Sequence, residues 1–143
     1  MKADQIEAIY QTIAYIENHL QEEISVADMA VRAGYSVFHF IRLFNQVVHH
    51  TPYDYLIRRR LTESAAAMAA HNLRIIDVAQ DYCFNNQETY SRMFRKMFKV
   101  TPSQFRKTRM IPSFRYCPAK TLEDLHFINR YDGHSPQIEK IGS

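Results

Sequence analysis

The feature that most constrains this chain is an internal repeat of about 50 residues. Three pieces of the first copy recur 49 or 50 positions later: Asp28-Met29-Ala30 as Asp77-Val78-Ala79, Arg42-Leu43-Phe44 as Arg92-Met93-Phe94, and Thr51-Pro52 as Thr101-Pro102. One residue inserted in the stretch from Cys83 to Asn86 explains the change of offset. The chain therefore contains two copies of one structural unit.

Each copy has the residue spacing of a helix-turn-helix motif. In the first copy, the small Ala30 precedes Gly34 by four residues, and Phe40 and Leu43 follow at the spacing of a second helix's buried face. Glycine suits a turn that requires positive φ. The second copy has, at the corresponding places, Ala79, Cys83, Tyr90 and Met93. Cysteine in place of glycine predicts that the second turn is rearranged, which the inserted residue permits.

Composition favours helices for the rest of the chain. The 143 residues include three Gly and five Pro, too little turn material for a sandwich or barrel of short hairpins. Residues 4–20 carry an apolar stripe with helical period, and Thr51-Pro52 is a helix-start signal for a helix that runs to about Ala70. We therefore predict an all-α fold with two helix-turn-helix subdomains joined by a long linker helix.

These signals also set the predicted boundaries. The first subdomain covers 4–52, the linker helix 53–71, the second subdomain 72–109 and the tail 110–143. Within the tail, Thr121 can cap a short helix through Tyr131, whereas Phe127 to Tyr131 is equally compatible with a strand. The tail is too short for an independent ligand-binding domain with a substantial core.

Charge is distributed unevenly along the chain. Residues 1–35 have a net charge of −4, whereas residues 36–109 hold twelve Lys or Arg against five Asp or Glu, a net of +7. A basic middle segment beside an acidic flank predicts a polyanionic partner on one face.

Other function classes lack support in the sequence. We find no Gly-rich phosphate loop, no paired carboxylates and no His or Cys spacing typical of a metal site, so we expect no catalytic residues, no metal and no cofactor. Cys83 and Cys117 are isolated thiols, which favours a reducing compartment. The longest wholly apolar stretch, Ala65 to Ala70, is far shorter than a membrane span of ~20 residues. We expect a cytoplasmic protein without a membrane partner.

Three segments resemble the AraC/XylS family of transcription regulators. They are Gly34 to Phe44, similar to the first recognition helix, Asn86 to Phe94, similar to the second, and Phe98 to Arg106, similar to the closing signature. The layout is closest to the short MarA/SoxS/Rob branch. The resemblance implies about seven helices, a bacterial nucleoid-associated protein that binds double-stranded DNA as a monomer, and activation through contact with RNA polymerase.

The length of the linker helix agrees with that implication. A helix of ~18 residues is ~27 Å long, close to the ~34 Å between successive major-groove openings on one duplex face. The expected target is an asymmetric site of roughly 20 bp with two half-sites.

Seven side chains are the predicted contacts to DNA bases: Phe38, Ile41, Arg42, Gln87, Glu88, Thr89 and Arg92. Arginine can bind guanine O6 and N7 with two of its guanidinium nitrogens. The alternative for Arg42 and Arg92 is a contact to a phosphate or an exposed position in solvent. Phe38 and Ile41 stand where the family branch has Trp and Gln. They pack on thymine methyls or on the sugar edge; the alternatives are that the first unit binds chiefly by DNA shape or that Phe38 folds back as a helix-start staple. Glu88 stands where Gln is usual; it accepts a hydrogen bond from cytosine, forms a salt bridge with a neighbouring basic residue, or narrows the sequence preference.

Six further side chains are the predicted contacts to phosphates: Ser36, Asn86, Arg95, Lys96, Lys99 and Arg106. Two functional alternatives stay open at this point. The chain could be a helical adaptor for an acidic protein, or the N-terminal DNA-binding part of a larger regulator controlled by an effector.

Overall fold

The computed structural model describes residues 2–130 and 141, and all regular secondary structure within them is helical. In chain order the elements are α1 (Ala3–Glu17), α2 (Val26–Ala33), α3 (Val37–Val48), α4 (Pro52–Ala70), α5 (Ile75–Asp81), α6 (Gln87–Phe98), α7 (Pro102–Thr108), a 3-10 turn (Ser113–Arg115) and α8 (Leu122–Arg130). The predicted all-α fold is confirmed, with α8 added in the tail. None of the helices in the described part of the chain is long and apolar enough to cross a membrane.

Local capping interactions explain where the helices begin. The Ser25 side chain accepts from the Asp28 amide at the start of α2, and the Asp28 carboxylate accepts from the Ser25 amide. Thr51 caps α4, since its Oγ1 accepts from the Asp54 amide at 3.1 Å. Each cap satisfies an amide that the helix itself leaves without a partner.

The first compact unit is made of the described residues 2–19, 24–55 and 119–130. In it, α1, α2 and α3 pack on one another, and α8 packs on α1 and α3. Its largest fully buried side chains include Ile9, Ile13, Phe40, Phe44 and Tyr55. The apolar stripe of α1 and the inner face of α3 therefore form one core.

The second compact unit is made of the described residues 20–23, 56–118 and 141. Its core is aromatic, with Tyr90, Phe94, Phe98 and Phe105 all buried. The Tyr90 hydroxyl lies 2.7 Å from Ser64 Oγ of α4, so this buried polar group is satisfied. Burial raises the pKa of Tyr90 far above its ordinary value, which keeps the hydroxyl protonated.

The turns of the two helix-turn-helix motifs have the same backbone, contrary to the prediction for Cys83. Gly34 has φ of 81°, and Cys83 has φ of 66°. The Tyr35 amide donates to the Ala30 carbonyl and the Phe84 amide to the Ala79 carbonyl, which is the same five-residue closure. The predicted rearrangement at Cys83 is therefore wrong. The inserted residue instead lengthens the stretch between Phe84 and the start of α6.

The shared turn conformation predicts that substitutions at Gly34 and Cys83 change stability in opposite directions. Gly34→Ala should lower the free energy of unfolding by about 1–2 kcal/mol, because a Cβ is disfavoured at positive φ. A Cβ at Gly34 would meet nothing within 4 Å, so backbone strain alone sets this effect. Cys83→Gly should raise stability by about 0.5–1 kcal/mol, since it removes the same strain. Urea unfolding measures both, and equal signs for the two variants would contradict the prediction.

The tail helix α8 resolves the alternatives for the tail. Thr121 Oγ1 accepts from the Asp124 amide at 3.1 Å, and the Asp124 carboxylate accepts from the Thr121 amide at 2.9 Å. That backbone hydrogen bond lowers the pKa of Asp124. Leu125 is fully buried, and Asn129 Nδ2 donates to the Val47 carbonyl of α3 at 3.1 Å. The helical interpretation is confirmed over 122–130 and the strand is wrong there, whereas Tyr131 lies outside the described residues.

Candidate nucleic-acid interface

Helices α3 and α6 are matched residue by residue at an offset of 50. Each has 12 residues. Ser36 Oγ accepts from the His39 amide at 3.2 Å, and Asn86 Oδ1 accepts from the Thr89 amide at 2.7 Å. Both helices end on a residue with positive φ, His49 at 65° and Lys99 at 66°. Residues at equivalent positions therefore occupy equivalent places on the two outer faces.

The outer face of α3 has an apolar start, followed by polar side chains towards its end. Val37, Phe38 and Ile41 are 45%, 72% and 37% exposed. Phe38 therefore points away from the core, and the alternative of a helix-start staple is wrong. The Arg42 guanidinium carbon lies 5.7 Å from the centre of the Phe38 ring, one helical turn away. Arg42 is the only Lys or Arg of this helix.

The outer face of α6 is polar and basic. Gln87, Glu88, Arg92, Arg95 and Lys96 are exposed, and Thr89 is half-buried. A shallow concavity of about 520 Å³ is lined by Ser91, Arg92, Arg95, Lys96 and Thr101. Three cationic side chains around one concavity favour the binding of an anion. This face therefore differs in chemistry from that of α3, although the two backbones match.

Glu88 lies in the first turn of α6, where a carboxylate stabilises the helix through the macrodipole. No residue of the described part of the chain forms an ion pair with it. The predicted alternative, a salt bridge between Glu88 and a neighbouring basic residue, is therefore wrong. The carboxylate is exposed beside Gln87, where it can accept a hydrogen bond from an amino group such as cytosine N4.

The six predicted phosphate contacts fall in three groups: Arg95, Lys96 and the exposed C-cap residue Lys99 at the end of α6, the caps Ser36 and Asn86, and Arg106 on α7. Arg95 and Lys96 lie together on α6. Ser36 and Asn86 use their side-chain oxygens as helix caps, so their remaining hydroxyl or amide N–H groups are the donors left for a phosphate. Arg106 donates to Asn72 Oδ1 at 3.1 Å, at the approach to α5.

Sequence reasoning missed several residues of the same two faces. Val37, Asn45 and Gln46 on α3 are exposed beside the predicted residues, and Ser91 on α6 is half-buried there. The repeat offset would have found Asn45 and Gln46, because they occupy the positions of Arg95 and Lys96. Helical spacing would have added Val37, which lies one turn before Ile41.

Two helix-turn-helix motifs, each with a second helix whose outer face is exposed, define a class of protein that binds nucleic acid. Residues 29–108 match the family described as a helix-turn-helix domain. Right origin-binding protein from Escherichia coli (strain K12) is 32% identical over 151 residues, which cover 96% of this chain and 52% of that protein. Regulatory protein SoxS from the same strain is 36% identical over 98 residues, which cover 68% of this chain and 92% of that protein.

The fold has a matching solved structure. An AraC-type transcriptional regulator from Chromobacterium violaceum superposes with a TM-score of 0.69 at 23% identity, over 75% of this chain and 96% of that one. The chain belongs to the AraC-type family of helix-turn-helix transcription regulators. It spans about half the length of the origin-binding relatives that it matches. Regulators of this type bind double-stranded DNA.

Proposed function

We propose that this chain is a sequence-specific transcription regulator that places α3 and α6 in successive segments of the DNA major groove. The observation that carries the proposal is the matched pair of exposed helix faces, each with an arginine at the same position, Arg42 on α3 and Arg92 on α6. A guanidinium on a helix that enters the major groove can bind guanine O6 and N7 together.

One chain supplies both recognition helices, so the proposed binding unit is a monomer on an asymmetric site. The proposed DNA-binding subdomains are 4–52 and 72–109, joined by the linker 53–71 and followed by the tail 110–143. The linker helix α4 has 19 residues and is about 28 Å long. That length suits two recognition helices that bind half-sites about one helical turn of DNA apart.

The proposed base contacts are the seven residues predicted from the sequence, and the proposed phosphate contacts are the six. Activation through contact with RNA polymerase in the bacterial nucleoid belongs to the same proposal, and it is supported by the family to which the chain belongs. In vitro transcription from a promoter that carries the selected site, with and without the protein, distinguishes activation from repression.

Selection of bound duplexes from a randomised pool tests the central proposal. We expect the whole chain to select a two-part site of roughly 20 bp, with a dissociation constant of about 10⁻⁸ M or lower near physiological salt. We also expect one protein chain per duplex by native mass measurement. Binding without sequence preference at ~0.15 M salt would contradict the proposal and favour the adaptor for an acidic protein instead.

A further inference from the structure

The tail contacts both recognition helices near their C-terminal ends. In the first compact unit, Asn129 Nδ2 of α8 donates to the Val47 carbonyl of α3 at 3.1 Å. In the second compact unit, the Tyr116 ring packs on the Phe98 ring at the end of α6, with 5.4 Å between the ring centres. Val47 and Phe98 are both buried, and they occupy adjacent positions of the repeat, because position 98 corresponds to position 48. Each recognition helix therefore has a tail residue at the same end.

Asn129 supplies a directional contact to the first unit. The Val47 carbonyl is one of the last four of α3, which have no amide partner within their own helix. The Asn129 amide also donates to the Leu125 carbonyl at 2.7 Å, so one side chain joins α8 to the end of α3. A hydrogen bond depends on angle as well as distance, whereas apolar packing is non-directional. Asn129 therefore fixes the orientation of the end of α3 more closely than apolar packing can.

Stability alone does not account for Asn129. Its Oδ1 is buried and has no hydrogen-bond partner among residues 2–130 and 141. A buried acceptor without a partner costs free energy. An apolar side chain of similar size would avoid this cost, but it could not donate to the Val47 carbonyl. The asparagine is therefore better explained by the orientation that it gives to α3.

The tail is itself anchored beside both contacts. In the second unit, the Cys117 amide next to Tyr116 donates to Thr62 Oγ1 of α4 at 3.0 Å. In the first unit, the Lys120 amide donates to the Tyr55 hydroxyl at 3.0 Å. Both donors belong to the backbone of the tail, so the segments that reach the recognition helices are held in place. An anchored segment can resist movement of the helix that it contacts.

We propose that the tail positions both recognition helices for DNA binding: Asn129 orients the end of α3, and Tyr116 orients the end of α6. The inference rests on the proposed function and adds the tail to the residues that determine it. Neither side chain is proposed to contact DNA, and both act through the helices. A recognition helix that has two orientations binds its bases in only one of them, so its contribution to sequence preference falls with the population of that orientation.

Two single variants of the whole chain test the inference. Asn129→Ala should reduce the base preference in one half of the selected site by about twofold to tenfold, and Tyr116→Ala should do so in the other half. The half affected by Asn129→Ala should be the half that Arg42→Ala relaxes. Preference is measured as the ratio of dissociation constants for duplexes that differ at one base pair. A variant that is only less stable leaves this ratio unchanged, because its folded fraction enters both constants equally.

Variants at neighbouring tail positions are the matched controls. His126→Ala and Phe114→Ala remove exposed side chains of the tail, and both should keep affinity and preference within about twofold of the wild-type values. Tyr116→Phe keeps the ring that packs on Phe98, so it should retain the preference that Tyr116→Ala loses. Helix content by circular dichroism verifies that each variant is folded.

The outcomes separate this inference from the function on which it rests. If the wild-type chain selects a two-part site and either Asn129→Ala or Tyr116→Ala keeps the full preference, the inference is overturned and the function stands. A uniform loss of affinity for all sequences has the same meaning, because the tail would then only stabilise the fold. Loss of preference in the same half with both variants also overturns the inference. Failure of the wild-type chain to select any site overturns both.

Discussion

Replacing Arg60 by alanine is expected to lower the free energy of unfolding by about 3 kcal/mol. Arg60 is 5% exposed, within the second compact unit. Its Nε donates to the Leu20 carbonyl at 2.9 Å, and its Nη2 donates to the Glu22 carbonyl at 2.6 Å. The alanine variant leaves both carbonyls without these donors and opens a cavity where the aliphatic stem lay. The buried Leu20 carbonyl left unpaired costs about 1–3 kcal/mol, and the lost packing of the stem adds to it.

Urea unfolding followed by circular dichroism measures this effect, and Arg95→Ala is the matched control. Arg95 is an exposed arginine of the same unit, so its removal should change stability by less than about 0.5 kcal/mol. On DNA affinity the order should reverse. Under conditions where both variants are folded, Arg95→Ala should weaken binding more than Arg60→Ala. An Arg60→Ala variant as stable as the control would show that the two carbonyls find other donors.

The role of Arg60 illustrates which part of the fold the sequence could not predict. The sequence shows Arg58-Arg59-Arg60 only as a run of three consecutive basic residues. Arg59 is 4% exposed and donates to Glu63 at 3.1 Å and to the Cys117 carbonyl. The acceptors at Cys117 and Leu20 lie 58 and 40 positions away along the chain, so no local pattern reveals them.

Features set by neighbours in the sequence were predicted well. The predicted helix starts at Thr51 and Thr121 each rest on a cap that joins residues three positions apart, so the sequence contains the whole interaction. The repeat predicted the equivalence of α3 and α6, because the same residue pattern recurs in both copies. The error at Cys83 arose because glycine was taken as necessary for positive φ, whereas the turn hydrogen bonds hold a cysteine there.

The faces of the candidate interface were predictable only in part. Helical period separates the buried Phe40 and Phe44 from the exposed Phe38, and this separation is confirmed. The contact between Phe38 and Arg42 depends on side-chain conformations that residue spacing allows and does not fix. The contrast between the apolar side chains at the start of α3 and the polar and basic face of α6 required comparison of the two exposed faces position by position.

Arg42→Ala and Arg92→Ala are each expected to weaken binding to the selected site by about tenfold to a hundredfold. A bidentate contact between arginine and guanine contributes about 1–3 kcal/mol of discrimination against the wrong base. Each variant should relax the preference in one half of the site and leave the other half unchanged. Selection repeated with each variant measures the preferences, and titration of the wild-type site measures the affinities.

Arg95→Ala separates base reading from phosphate binding in the same experiment. An arginine that binds a phosphate contributes equally to all sequences, so its removal should weaken binding uniformly and reduce the salt slope by about 1. Arg42→Ala should leave the salt slope nearly unchanged if its contact is to a base. Because α3 has Arg42 as its one Lys or Arg and α6 has three, most of the salt dependence that the recognition helices contribute should belong to α6.

Two patterns would contradict this division of roles. If Arg42→Ala and Arg92→Ala weaken all sequences equally and each lowers the salt slope, both arginines bind phosphates and the bases are read by other side chains. If one variant relaxes both halves of the site, the two helices do not read separate half-sites. The matched positions of the two arginines predict that the two variants behave alike, because equivalent side chains on equivalent helices should meet equivalent groups of the DNA.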